Sequence, residues 1–162
     1  LELFLAALGD EDTQVRCAAV SGLEQIKDDQ SPAVLSYALQ DQSNEVREAA
    51  AAALGRLGDA SVSGHLAALL KDSAPAVRTA AALALRNLGW KPSTREEQAA
   101  LEVALGHAHA AAFAGYAGVK ALVTELKHDT NFKRRAAAEA LGTLAEPAAM
   151  EALVLADRKS VV

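Results

Sequence analysis

Aromatic residues are scarce in this chain: they make up 4% of 162 residues, as one tryptophan, two tyrosines and three phenylalanines. A ring-lined small-molecule pocket has little to be built from, and no cofactor is expected. Positive charge is also short, with 16 Lys and Arg against 21 Asp and Glu. The continuous basic stripe that duplex binding needs is missing, so no nucleic-acid partner is expected. One cysteine, Cys17, cannot form an internal disulfide, which fits a reducing cytoplasm. No apolar run approaches about 18 residues, so no membrane span is expected, and no secretory signal is read in these residues. No strand-like alternation and no low-complexity linker interrupt the chain. What is abundant is alanine, 39 residues within an apolar content of 51%, and the four prolines fall at turns or helix starts. That composition points to an all-α protein with ample core.

The dipeptide Val-Arg occurs at Val15-Arg16, Val46-Arg47 and Val77-Arg78, a strict period of 31 residues. Eleven and seven positions before each valine stand Phe4, Leu35 and Leu66, then Leu8, Leu39 and Leu70. These positions lie four apart and mark the buried stripe of a first helix. After the valine come Ala18-Ala19, Ala49-Ala50 and Ala80-Ala81, then Leu23, Leu54 and Leu85, then Ile26, Leu57 and Leu88, the stripe of a second helix. A unit of this length cannot bury its own apolar face, so stacked copies must share one core.

A fourth copy places Leu122, Leu126, Lys133-Arg134, Ala136-Ala137, Leu141 and Leu144 at the same offsets, and a further first helix with Met150, Leu153 and Val154 follows Pro147. The repeats are expected at 1–30, 31–60, 61–89 and 118–146, with a partial repeat at 147–157, all in one domain spanning 1–162. The apolar pattern begins at Leu1 and stops after half a repeat. Either more solenoid flanks this piece or its uncapped ends self-associate. Between Arg78 and Arg134 lie one period and 25 further positions, so residues 90–117 form an insert. Gly89 ends a helix there, Pro92 turns the chain, and Thr94-x-x-Glu97 reads as a capping box opening a helix to Leu105. The expected effect is a changed stacking angle between the third and fourth repeats.

Asp10, Asp41 and Asp72 recur five positions before each valine, and Arg16, Arg47 and Arg78 one position after it, with Arg134 after Lys133, the lysine that replaces the valine in the fourth copy. A ladder of ligand groups is one reading. The stronger one is structural, with aspartates capping backbone N–H groups of the turns and arginines bridging to the next repeat. His128 stands at the aspartate position of the fourth copy, with Asp129 beside it, implying an altered turn. His107 and His109 lie two apart, do not share a helix face, and have no Cys, Asp or Glu within a turn, so no metal site is expected. Trp90 covers the edge of the core where stacking lapses, with an exposed binding anchor as the alternative. The run Lys133-Arg134-Arg135 reads as a solvated helix start. Residues 1–30 carry seven acids against two bases, and residues 61–92 one acid against four bases.

The unit Leu-x3-Leu-x-Asp-x4-Val-Arg-x-Ala-Ala-x3-Leu-x2-Leu, as in Leu66 to Leu88, resembles the short HEAT-like repeats of the PBS lyase class over about residues 1–89 and 118–157. The resemblance implies a right-handed α-α superhelix, a HEAT-like solenoid of about four helical hairpins. It implies a protein-binding scaffold in most members, assistance in bilin attachment in some, and iron-dependent deoxyhypusine hydroxylation in one branch. The last needs adjacent His-Glu pairs. His65, His107, His109 and His128 are followed by Leu, Ala, Ala and Asp, so no iron or hydroxylase role carries over.

In such a solenoid the second helices line the concave face, and offsets 2, 6 and 9 from the valine point away from the core. These are Cys17, Ser21 and Glu24; Glu48, Ala52 and Gly55; Thr79, Leu83 and Arg86; and Arg135, Glu139 and Gly142, with Gln25, Arg56, Asn87 and Thr143 at the flank. The candidate partner-binding set is Glu24, Glu48, Arg56, Thr79, Leu83, Arg86, Asn87, Arg135 and Glu139, centred on Leu83 and Arg86. The expected function is a non-catalytic scaffold binding a partner protein or peptide. A phycobilin-lyase-type accessory role is second and a nucleic-acid-binding HEAT-like protein third.

Overall fold

The computed structural model describes residues 1–112, 114, 116–127 and 130–144, and every regular element among them is helical. The elements fall into two compact units, Leu1–Lys91 and Pro92–Val162.

The first unit holds three helical hairpins: α1 (Glu2–Leu8) with α2 (Thr13–Ile26), α3 (Ser31–Ala38) with α4 (Asn44–Leu57), and α5 (Ser63–Ala68) with α6 (Pro75–Asn87). Each first helix packs on its own second helix, and the second helices form a row, α2 against α4 and α4 against α6. The second helices are therefore covered on two sides, and their buried stripe is wider than one line of leucines. In α4 it comprises Val46, Ala50, Ala51, Ala53 and Leu54, and in α6 Val77, Ala81, Ala82, Ala84 and Leu85. Alanine at the closest approach and leucine where the gap widens is how a core reaches close packing.

The row of second helices corrects one expectation. Gly55 does not point away from the core but is buried, and a Cβ added to it would lie 2.7 Å from Cα and Cβ of Ala84. Glycine lets α4 and α6 touch there. Offset 9 thus faces the neighbouring second helix at this position, although Arg86 at the same offset in α6 is exposed.

Helix ends follow from local chemistry. Asp12 and Ser43 cap α2 and α4 by accepting from the N–H groups of Gln14 and Glu45, while α6 opens on Pro75. Twelve residues after each valine, just past each second helix, the chain is left-handed: Lys27 at φ 52°, Gly58 at φ 81° and Gly89 at φ 66°. At Gly89 the N–H of Trp90 bonds the Leu85 carbonyl at 3.0 Å and the N–H of Gly89 that of Arg86 at 3.1 Å, a Schellman closure. Trp90 is half-buried.

The second unit contains α7 (Arg95–Ala104), α8 (Ala108–Ala112), α9 (Tyr116–Glu125) and α10 (Asn131–Gly142). The capping box that opens α7 is formed, with Glu97 N–H donating to Thr94 Oγ1 at 3.1 Å and the Glu97 carboxylate accepting from Thr94 N–H. The segment after His107, which includes His109, forms the short α8. The two insert helices share one core with α9 and α10, made of Ala99, Val103, Ala108, Ala111, Val119, Leu122, Ala137, Ala140 and Leu141. His128, Asp129 and the partial repeat at 147–157 lie outside the described residues.

Candidate protein-binding face

The aspartates and arginines of the repeat form a continuous clamp across the first unit. Arg16 Nε and Nη2 donate to the two carboxylate oxygens of Asp41 at 2.7 and 3.0 Å, and Arg47 repeats this on Asp72 at 2.8 and 2.9 Å. The remaining nitrogen, Nη1, donates to carbonyls of its own turn: Asp10 and Glu11 for Arg16, Asp41 and Gln42 for Arg47, Asp72 and Ser73 for Arg78. Each aspartate also accepts from the N–H two residues on, at Asp12, Ser43 and Ala74. One carboxylate thus closes its own turn and holds the preceding repeat. The geometry agrees with the structural reading of this motif.

The electrostatics follow. Burial alone would raise the Asp41 carboxyl, but the hydrogen bonds from Arg16 and Ser43 N–H, with the charges of Arg16 and Arg47, hold it below the usual carboxylate range. Asp72 behaves the same way through Arg47 and Ala74 N–H. The Arg16 guanidinium is raised by its bond to Asp41, against the opposing effect of burial.

With the clamp accounted for, what remains on the row of second helices is its exposed edge. Glu48, Leu83, Arg86 and Asn87 are exposed, and Thr79 and Glu24 are half-buried. Leu83 is 40% exposed, while its neighbours Ala82, Ala84 and Leu85 are buried. Arg86 makes no ion pair among the described residues. Arg56 reaches back along the row and pairs with Glu24, its Nη2 donating to Oε2 at 2.7 Å. The pair joins two candidate residues 32 apart, one period and one residue, which puts them side by side on adjacent second helices. Burial, and next the charge of Glu45, pushes the half-buried Cys17 thiol up.

On the second unit Arg135 and Glu139, one turn apart on α10, pair with each other at 2.7 Å. His107 Nδ1 lies 2.9 Å from Glu102 Oε2. Glu102 lies five residues before His107, more than one helical turn; Gly106, left-handed at φ 87°, folds the chain back and brings the two together. Among the described residues no group of three or more His, Cys, Asp or Glu is arranged to hold a metal ion, and no helix is long and apolar enough to cross a membrane.

Residues 1–86 match the family model for HEAT repeats, which is more than half of the chain. The chain belongs to the HEAT repeat family. Residues 133–156 match the PBS lyase HEAT-like repeat. No curated protein matches this HEAT repeat chain. Among solved structures, one similar chain comes from the complex of CpcE and CpcF of phycocyanin lyase from Nostoc sp. PCC7120. It has a TM-score of 0.51 and 24% identity, over 93% of this chain and 67% of that one. A human deoxyhypusine hydroxylase in complex with glycerol gives a TM-score of 0.49 and 25% identity, over 94% of this chain and 76% of that one. The first of these likenesses supports the HEAT repeat fold.

Proposed function

We propose that this HEAT repeat protein is a non-catalytic scaffold that binds a partner protein or peptide on the exposed edge of α2, α4 and α6, centred on Leu83 and Arg86. The observation that carries the reading is Leu83 itself. A leucine left 40% exposed in a helix whose adjacent residues are buried, beside the guanidinium of Arg86, which makes no ion pair among the described residues, is an apolar anchor next to a multivalent hydrogen-bond donor. Thr79 and Asn87 flank it on the same helix, and Glu48 on α4 supplies acidic specificity. The test is retention of a partner from a native lysate on the immobilised full chain and on the Leu83→Asp, Arg86→Glu double variant. A protein held by the first and lost by the second supports the scaffold reading; equal retention contradicts the placement of the face.

A second reading, an accessory role in bilin attachment, is favoured by the PBS lyase HEAT-like repeat at 133–156 and by the fold it shares with a phycocyanin lyase chain. Visible absorbance from a tetrapyrrole in the same eluate would move this reading ahead of the first. Fold resemblance is an associational ground, which ranks it second.

A further inference from the structure

The third hairpin presents exposed charge of one sign. Residues 61–92 hold one acid, Asp72, against Lys71, Arg78, Arg86 and Lys91. Asp72 has 9% of its side chain exposed and both its oxygens accept from Arg47, so its charge is already answered. Lys71, Arg86 and Lys91 are exposed. The row of second helices shows the same imbalance independently. Arg56 on α4 is met by Glu24 on α2, but the pair does not recur at the next step. One period after Glu24 stands Gly55, buried on Ala84, and one period after Arg56 stands Asn87. The contact between α4 and α6 thus occupies the place of an acid, and Arg86 makes no ion pair among the described residues. Leu83, far from both ends of the chain, stands three residues before Arg86 on the same side of α6.

We propose that the partner segment bound at this face is an acidic amphipathic helix, which sets an apolar side chain on Leu83 and, one helical turn away, a carboxylate on Arg86. The inference rests on the scaffold reading and supplies the chemistry of its partner. Because Leu83 and Arg86 are three residues apart, a helix laid beside them meets both with groups three or four residues apart. Ala52, at the offset of Leu83 on α4, and Ala80, one turn before it, are small and half-buried, so Leu83 stands above its surroundings. The guanidinium fork fits a carboxylate through two parallel hydrogen bonds, the geometry that Arg16 and Arg47 already show on Asp41 and Asp72. Glu48, exposed on α4 toward the opposite end of the face, repels a ligand that is anionic along its whole length. That disfavours nucleic acid and anionic lipid, and it confines the partner's acid to the Arg86 end.

The probe is a phage-displayed library of helical peptides with randomised outer positions, selected on the full chain. Binders are expected to carry an apolar residue with Asp or Glu three or four positions away. By fluorescence anisotropy the best of them should bind about tenfold more tightly than the same peptide with glutamine in place of its acids. That preference should vanish on Arg86→Gln, whereas Leu83→Ala should weaken both peptides alike. Both substitutions fall on exposed side chains, and unchanged urea midpoints verify that the variants are folded. Apolar binders without an acid, or with a basic residue in its place, that are lost on Leu83→Asp would overturn the acidic partner and leave the scaffold face standing. Binders that hold equally to the Leu83→Asp, Arg86→Glu double variant would overturn both readings. A library that yields no binder overturns the acidic helix as the partner.

Discussion

Replacing Asp41 by alanine should be among the most damaging single changes outside the apolar core. The substitution removes both oxygens that hold Arg16 and the acceptor of the Ser43 N–H at 2.7 Å. Arg16 has only 4% of its side chain exposed and Asp41 11%, so water can replace little of what is lost. Breaking a buried ion pair by removing one partner costs about 3–5 kcal/mol. Arg16 keeps the Asp10 and Glu11 carbonyls and the Thr13 hydroxyl, which reduces the figure to about 2–4 kcal/mol. The assay is urea unfolding followed by the fluorescence of Trp90, the single tryptophan, at the end of the affected unit. The pH dependence has a definite sign. Asp41 is lowered on folding, so its contribution is present above the ordinary carboxylate pKa and is lost as pH falls through the folded value. The gap between the native chain and Asp41→Ala should therefore be full at pH 7 and narrow below about pH 4. A cost under about 1 kcal/mol at pH 7, or a gap independent of pH, would refute the view that the clamp ties one repeat to the next.

Leu85 and Arg86 are adjacent on α6 with opposite environments, fully buried and exposed. Leu85→Ala should cost about 2–5 kcal/mol in the same unfolding assay, while Arg86→Ala should stay within about 0.5 kcal/mol. Lys27 adopts the left-handed conformation that Gly58 and Gly89 adopt at the matching positions, so Lys27→Gly should stabilise the first unit by about 0.5–1 kcal/mol, read as a higher denaturation midpoint. A lower midpoint would mean that the Lys27 side chain contributes more than its backbone strain costs.

Much of this was legible in the residues because the repeat states it several times. Val46 and Val77, Leu54 and Leu85, and the Asp41 and Asp72 clamps occur at fixed offsets, and a feature needed at every stacking step recurs at every step. What escaped depends on which neighbour a residue has. Val15 shares its offset with two buried valines yet is exposed, and Gly55 shares its offset with exposed Arg86 yet is buried on Ala84. A helical wheel drawn for one hairpin has no knowledge of the adjacent second helix. Glu102 and His107 meet because Gly106 reverses the chain between them, and the five-residue α8 is too short for periodicity to register. The candidate face shows the same division: exposure at Leu83 and Arg86 follows from the 31-residue frame, whereas the Glu24–Arg56 pair needed the spacing of α2 and α4.

The most direct test of the central claim is site-specific photo-crosslinking in native lysate, with a benzophenone amino acid at position 83 and, as control, at exposed Ser61, just ahead of α5 on the first-helix side of the same hairpin. A protein adduct formed from position 83, absent from position 61 and abolished by Arg86→Glu is the predicted result. The same adducts from both positions, or adducts indifferent to Arg86, would contradict a partner-binding face centred on Leu83 and Arg86.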